Sequence, residues 1–276
     1  MKTAKKKTRK SILLILVMCI VTFVSIFPFY VMIIMGTHYN EDLFKQIQLL
    51  PGNYLLNNFK TVMGGQFFQA YWNSIYIAVS ATVLAVLVSA MAGYAFAKFR
   101  FKGRGFLQGF VLATMMIPQG LGLVAFTMEM KAFGWNQTHL PFIVPWAANA
   151  LGVFLMTQSM KDSVPTEILE SARMDGCGEL RLFFSFVISL SKPIILTLGL
   201  LVFLSSWNNF LIPLVMINKQ ELFTIPLAMY SLGAVYRTDY AARVLGLTLG
   251  TLPLILLFLF NSKSFIRGLA AGAVKG

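Results

Sequence analysis

Residues 161–193, KDSVPTEILESARMDGCGELRLFFSFVISLSKP, decide how this chain is read, because they are the one long polar interval in a strongly apolar sequence. Five of the ten acidic residues fall here (Asp162, Glu167, Glu170, Asp175 and Glu179), together with Lys161, Arg173, Arg181 and Lys192. Such a stretch must meet something soluble. Its spacing predicts two short helices joined by glycine. Pro165 suits a first helical turn, Ser163 or Asp162 is placed to cap it, and Glu167 and Glu170 lie near the positive end of the helix dipole. Ile168, Leu169 and Ala172 share one face, Glu167, Glu170 and Arg173 flank it, and Gly176, Cys177 and Gly178 supply the stop. Leu180, Phe183, Phe184 and Val187 then repeat the helical spacing toward Pro193. The pair reads as an amphipathic elbow at a membrane surface.

The surrounding composition sets the class. Of 276 residues, 57% are hydrophobic and 12% charged, and the mean hydropathy is +0.73, which no soluble globule of this length would bury. The net charge of +13 does not indicate nucleic acid, because the basic residues are scattered over short loops between apolar runs. Cys19 and Cys177 form neither a disulfide framework nor a metal spacing and read as free thiols.

Six apolar runs fit one all-α bundle of six transmembrane helices, with the elbow between the fourth and fifth. They cover residues 11–35, 72–97, 106–126, 140–160, 193–217 and 243–260. The first is too long for a signal-peptide core and has no small-residue cleavage site, so it reads as an uncleaved span in which Pro28 makes a kink. The second is rich in Ala, Ser and Gly and belongs inside the bundle. The third is interrupted by Pro118, Gly120 and Gly122, a bend suited to lining a cavity. Residues 36–71 and 218–242 read as loops with short helices, and 129–139 as a short exposed loop. The resulting domains are a basic tail (1–10), a six-span membrane domain (11–260) containing the polar loop 161–193, and a C-terminal tail (261–276). With the N-terminus inside, the inner segments carry six, four, four and three Lys/Arg, against six in all the outer loops. Both termini and the elbow are therefore expected on the cytoplasmic side of a multi-pass plasma membrane protein.

Glu170-Ser171-Ala172, three residues, Gly176, nine residues and Phe186-Val187-Ile188-Ser189 resemble the EAA loop of ABC importer permeases, E-A-A-x3-G-x9-I-x-L-P. Ser171 replaces the first alanine and Ser189 the proline, while Lys192-Pro193 fits the sugar-permease version. Met116-Ile117-Pro118-Gln119, the run Trp135-Asn136-Gln137-Thr138-His139-Leu140-Pro141, Trp207-Asn208-Asn209-Phe210, and the C-terminal FIRGLAAGAVKG of residues 265–276 extend the likeness to the maltose-type carbohydrate permease subunits of bacteria. The resemblance implies a permease subunit without catalytic activity of its own. It would form a heterodimer with a second permease, served by two cytoplasmic ATPase subunits and an extracytoplasmic solute-binding protein, for a carbohydrate such as an oligosaccharide. It also implies that Glu167, Ile168, Leu169, Glu170, Ala172, Arg173, Asp175 and Gly176 dock the ATPase as a coupling helix.

The chemistry that is missing agrees with this. No G-x-x-x-x-G-K-[ST] loop occurs, so the chain is expected to bind no cofactor, with ATP and Mg on the partner ATPases. No H-E-x-x-H, G-x-S-x-G or paired carboxylate falls in a span, and no metal site is expected; His38 and His139 are single loop histidines. All acidic residues lie in loops, which disfavours an ion-coupled carrier; a permease of the same architecture for another solute stays open. Asn149, Trp207, Asn208, Asn209 and Gln119 are the substrate-path candidates, since amides and an indole suit a sugar ring, although the same amides serve equally as helix glue and Trp207 as an interfacial aromatic. Asn208 and Asn209 are expected on one broad helix face and Leu211 elsewhere.

Overall fold

A bilayer offers no water to satisfy backbone N–H and C=O groups, so a chain of this composition must close its hydrogen bonds within helices. The chain is described here by a computed structural model over residues 2–64, 66–117, 122–232 and 238–273, with side chains over 12–64, 66–117, 122–232 and 238–260. No strand occurs among the described residues. In order, the helices are α1 (Lys2–Met35), α2 (Leu55–Gly64), α3 (Phe67–Lys98), α4 (Arg104–Met115), α5 (Leu123–Ala132), α6 (Ala150–Ser163), α7 (Thr166–Met174), α8 (Glu179–Leu190), α9 (Lys192–Trp207), α10 (Leu211–Met216), α11 (Ile225–Ser231) and α12 (Tyr240–Ala273).

The chain divides into two compact units, Met1–Phe67 with Ala228–Thr251, and Phe68–Leu227 with Leu252–Gly276. In the first, α1 is exposed on this chain from Ile12 to Tyr30, an apolar surface that lipid or another subunit must cover, and Pro28 sits inside it without ending it. The connection to α2 is stitched by polar groups: buried Asn58 donates to the carbonyls of Gly36 (2.9 Å) and His38 (2.8 Å), and Thr37 Oγ1 accepts from Gly52 N (2.7 Å).

In the second unit, α3 turns its small residues Ala78, Ala81, Ala85, Ser89 and Ala90 inward, as its composition predicts. Small residues let helices approach closely. A Cβ on Gly93 would stand 2.5 Å from Met156 Cβ of α6, and one on Gly152 of α6 would collide with Ser89 of α3. The main core contains Ala85, Ala90, Tyr94, Met156, Met160, Val164, Leu169, Leu182, Val187 and Leu198, so it runs from the long helices into the polar interval.

Several expected boundaries move. Four helices are long and apolar enough to cross a membrane, Ile12–Met35, Phe67–Lys98, Leu140–Ser163 and Tyr240–Phe260; α8 and α9, bent by 82°, make a fifth if taken as one. Six unbroken spans are therefore not what the described residues form. The expected third span is two helices, α4 and α5, because Pro118, Gly120 and Gly122 cluster where the helix stops; residues 118–121, including Gln119, lie outside the described residues. The fourth begins with 3₁₀ turns at Leu140–Phe142 and Val144–Ala148, each with a proline at its start, and is α-helical only from Ala150. The fifth stops at Trp207, where Asn208 folds its amide onto the Leu204 carbonyl (2.9 Å), and resumes as α10.

The Gly93 approach generates a stability test. Gly93→Ala should destabilise the detergent-solubilised protein by about 1–3 kcal/mol through overpacking against Met156. Gly109→Ala in α4, where a Cβ meets nothing within 4 Å, should leave stability unchanged or raise it by about 0.5–1 kcal/mol. Thermal unfolding of both variants checks the pair.

Candidate functional site

The polar interval folds as the glycine pattern predicts and caps differently. α7 starts after Pro165, which takes the N-cap position and gives no side-chain cap; Ser163 ends α6 and Asp162 lies within it, so neither performs the expected capping. At the other end, Gly176 has φ +78, Cys177 N donates to Ala172 O (2.9 Å) and Gly176 N to Arg173 O (3.0 Å), the paired bonds of a Schellman stop. No neighbour would touch a Cβ at Gly176, so a side chain there is opposed by the backbone conformation alone, at a cost of roughly 1 kcal/mol.

The faces of the elbow separate into two jobs. Leu169 and Ala172 are buried in the main core, while Ile168 is exposed with Glu167, Glu170, Arg173, Met174 and Asp175. Of the expected docking set, Leu169 and Ala172 thus hold α7 to its own chain, and the remainder faces outward. Met174, which the apolar spacing did not single out, is 88% exposed. In α8 the buried residues are Leu182, Phe183 and Val187, whereas Leu180 and Phe184 of the expected stripe are exposed. A π turn at Phe183–Val187 changes the phase of the helix, which strict i, i+3, i+4 counting cannot anticipate.

Arg173 Nε donates to Glu179 Oε1 at 2.6 Å, and the Tyr94 hydroxyl of α3 donates to Glu179 Oε2 at 3.1 Å. The bond from Arg173 holds the Glu179 carboxyl below the usual carboxylate range, so the pair is ionised at neutral pH. Both partners are partly solvated, which limits the pair to about 0.2–1 kcal/mol.

A second site is a cleft of about 640 Å³ whose lining includes Thr114, Trp146, Asn149, Ser205, Asn209 and Ile212. None of its lining residues carries an ionisable side chain. Of the substrate-path candidates it brings Asn149 and Asn209 together and leaves Trp207 and Asn208 out. Asn149 also caps α6, its Oδ1 accepting from Gly152 N at 2.7 Å. Trp207 is buried, stacked on Phe203 (5.6 Å) and edge-on to Tyr71 (5.8 Å), which makes it a packing residue. The expected shared face of Asn208 and Asn209 is absent because the helix ends at Trp207, leaving Asn208 exposed and Asn209 half-buried. Trp146 and Ser205 were not anticipated; Pro145 and the capping pattern Asn149 to Gly152 are the signals that this span opens with a break.

Residues 216–225 are held by two further segments, the loop before Leu140 and the first half of α3. Gln137 bonds Met216 O (2.9 Å) and accepts from Asn218 N (3.0 Å); His139 Nε2 lies 3.1 Å from Leu222 O; Asn73 donates to Glu221 O (2.8 Å) and Phe223 O (3.0 Å); Ser74 Oγ accepts from Ile225 N (2.8 Å). His139 is accordingly a structural clamp in this connection. His38 Nε2 similarly meets Leu50 O at 2.8 Å.

The two asparagines of the cleft separate by stability. Asn149→Ala should lower stability by about 1 kcal/mol through loss of the cap. Asn209→Ala should stay within about 0.5 kcal/mol of the parent in the same thermal melt.

Comparison with known proteins fits this geometry. The family model described as binding-protein-dependent transport system inner membrane component matches residues 85–269. The chain is 32% identical to an arabinooligosaccharides transport system permease protein of Halalkalibacterium halodurans, over 99% of this chain and 100% of the relative. It is also 32% identical to the lactose transport system permease protein of Rhizobium radiobacter, over 94% of each. The fold matches a chain of a bacterial ABC transporter involved in import of the acidic polysaccharide alginate, with TM-score 0.78 at 22% identity, over 92% of this chain and 96% of that one. A helical, multi-pass membrane chain, matched over residues 85–269 by this family model and over 99% of its length by the arabinooligosaccharide permease, belongs to the binding-protein-dependent transport system inner membrane component family.

Proposed function

We propose that this chain is the permease subunit of an ATP-driven importer and forms, with a second permease, the path for a neutral carbohydrate, an oligosaccharide in particular. One observation carries the substrate class: the cleft is lined by amides, an indole, hydroxyls and apolar groups and by no ionisable side chain. Passage of a hydroxyl-rich ring needs groups that replace water hydrogen bonds briefly and faces on which it stacks weakly, and a fixed charge serves neither purpose. The arabinooligosaccharide and lactose permeases among its relatives support the same class.

In this reading the chain crosses the membrane six times, with α4 and α5 together as the third crossing and α9 as the fifth. Residues 1–10 and 261–276 are cytoplasmic tails. The elbow is cytoplasmic, and a groove of the ATPase grips the outward face of α7, made by Glu167, Ile168, Glu170, Arg173 and Met174, with Asp175 and Gly176 fixing the exit. An extracytoplasmic binding protein delivers the sugar. ATP and Mg act on the ATPase pair, so this subunit transports without catalysing hydrolysis.

The test is uptake by the assembled complex, purified through a tag on this chain and placed in proteoliposomes with its binding protein. Neutral oligosaccharide should be taken up and a uronate oligosaccharide should not. Asn209→Ala should lower uptake by about threefold or more while the partner permease co-purifies, and Leu211→Ala, on an exposed position, should change neither. Equal uptake of the uronate, or unchanged uptake by Asn209→Ala, contradicts the assignment.

A further inference from the structure

Tyr94, Arg173 and Glu179 tie together three segments: the end of α7, the first residue of α8 and the last turns of α3. Beyond the two bonds to the Glu179 carboxylate, Arg173 Nη2 lies 3.5 Å from the Tyr94 hydroxyl, and its guanidinium sits 5.8 Å above the Phe99 ring. The Tyr94 ring meets Phe99 edge-on at 5.2 Å and tilts against Phe183 at 5.9 Å. Every donor and acceptor in this cluster belongs to a different segment, so no single helix needs it for its own integrity.

Within the stretch that the cluster spans, the other support is local: the Schellman bonds that close α7 and half-buried Cys177, which packs against the core. Between Arg173 and Glu179 the chain turns through Gly176, at φ +78, and Gly178, and a Cβ at either position would meet nothing within 4 Å. Beneath α7, Leu169 and Ala172 supply apolar burial, which holds the helix down without fixing its direction. Hydrogen bonds to an ionised carboxylate are directional, and a carboxylate receiving donors from two sides fixes both.

We propose that Tyr94, Arg173 and Glu179 form a coupling clamp: Arg173–Glu179 locks the angle between α7 and α8 across the glycine turn, and Tyr94 fastens the locked pair to α3. A displacement imposed on α7 then moves α3 with it instead of being absorbed at Gly176 and Gly178. Tyr94 and Glu179 are positioning residues that touch neither sugar nor ATPase. The proposal rests on the reading of α7 as the ATPase-docking lever.

The experiment compares Tyr94→Phe, Glu179→Gln and the double variant in the assembled complex, measuring ATP hydrolysis and sugar uptake in the same proteoliposomes. Tyr94→Phe keeps the ring against Phe99 and Phe183 and removes only the hydroxyl. In each variant the ATPase should co-purify and hydrolyse ATP at the parent rate. Uptake per ATP hydrolysed should fall by about threefold in each single variant, and the double variant should fall no further, because the bonds act as one unit. One result with a co-purified ATPase overturns the clamp alone: an unchanged ratio in both single variants, whether uptake and hydrolysis both hold or both fall in equal proportion. If the parent chain brings down no ATPase, the lever reading fails first and the clamp with it.

Discussion

The burial of Leu169 and Ala172 beneath α7 is the constraint on which the polar elbow depends. Fully burying a leucine side chain is worth about 1.5–3 kcal/mol, far more than the exposed ion pair beside it. Because these two residues share a core with Met156, Met160, Leu182 and Val187, and with Ala85, Ala90 and Tyr94 of α3, the polar interval is packed on α3 and α6. One face of a nine-residue helix cannot serve both inward packing and outward recognition. The proposed recognition of an ATPase therefore falls to the exposed residues Glu167, Ile168, Glu170, Arg173 and Met174, a surface that mixes charge with two exposed apolar side chains.

The same economy of backbone governs the cleft. Non-helical backbone is tolerated at membrane depth only where it is buried in protein or lines a cavity. The cleft is lined at such interruptions, by Met115 and Ile117 where α4 ends, by Pro145, Ala148 and Asn149 before α6, and by Asn209 between α9 and α10. Breaks that would be costly facing lipid are gathered around one concave, uncharged space. Asn149 illustrates the double use, since the oxygen that caps α6 belongs to a residue on the cleft wall.

Much of this was legible in the sequence for identifiable reasons. Gly176 announced its positive φ because few side chains tolerate that conformation, and the Ala and Ser of α3 announced close packing because small residues have little other use in a long apolar helix. What escaped depended on tertiary context. Phe183 and Val187 of the expected stripe are buried, but Leu182 is buried in place of Leu180 and Phe184, beside a π turn at Phe183–Val187, and periodicity contains no signal for an inserted residue. The asparagine pair was read on an unbroken helix, although Asn208 is itself the residue that ends it. Tyr94 bonds a partner, Glu179, that is 85 residues away, a pairing only the fold reveals.

The central claim is that the outward face of α7 meets a cytoplasmic ATPase, and a photo-crosslinking amino acid at Met174 in the assembled complex tests it most directly. Met174 is the most exposed large apolar side chain of that helix and takes no part in the core. The account predicts a light-dependent adduct with the ATPase subunit and none from the same group placed at buried Leu169. An adduct with lipid or with the extracytoplasmic binding protein, and none with the ATPase, would contradict it.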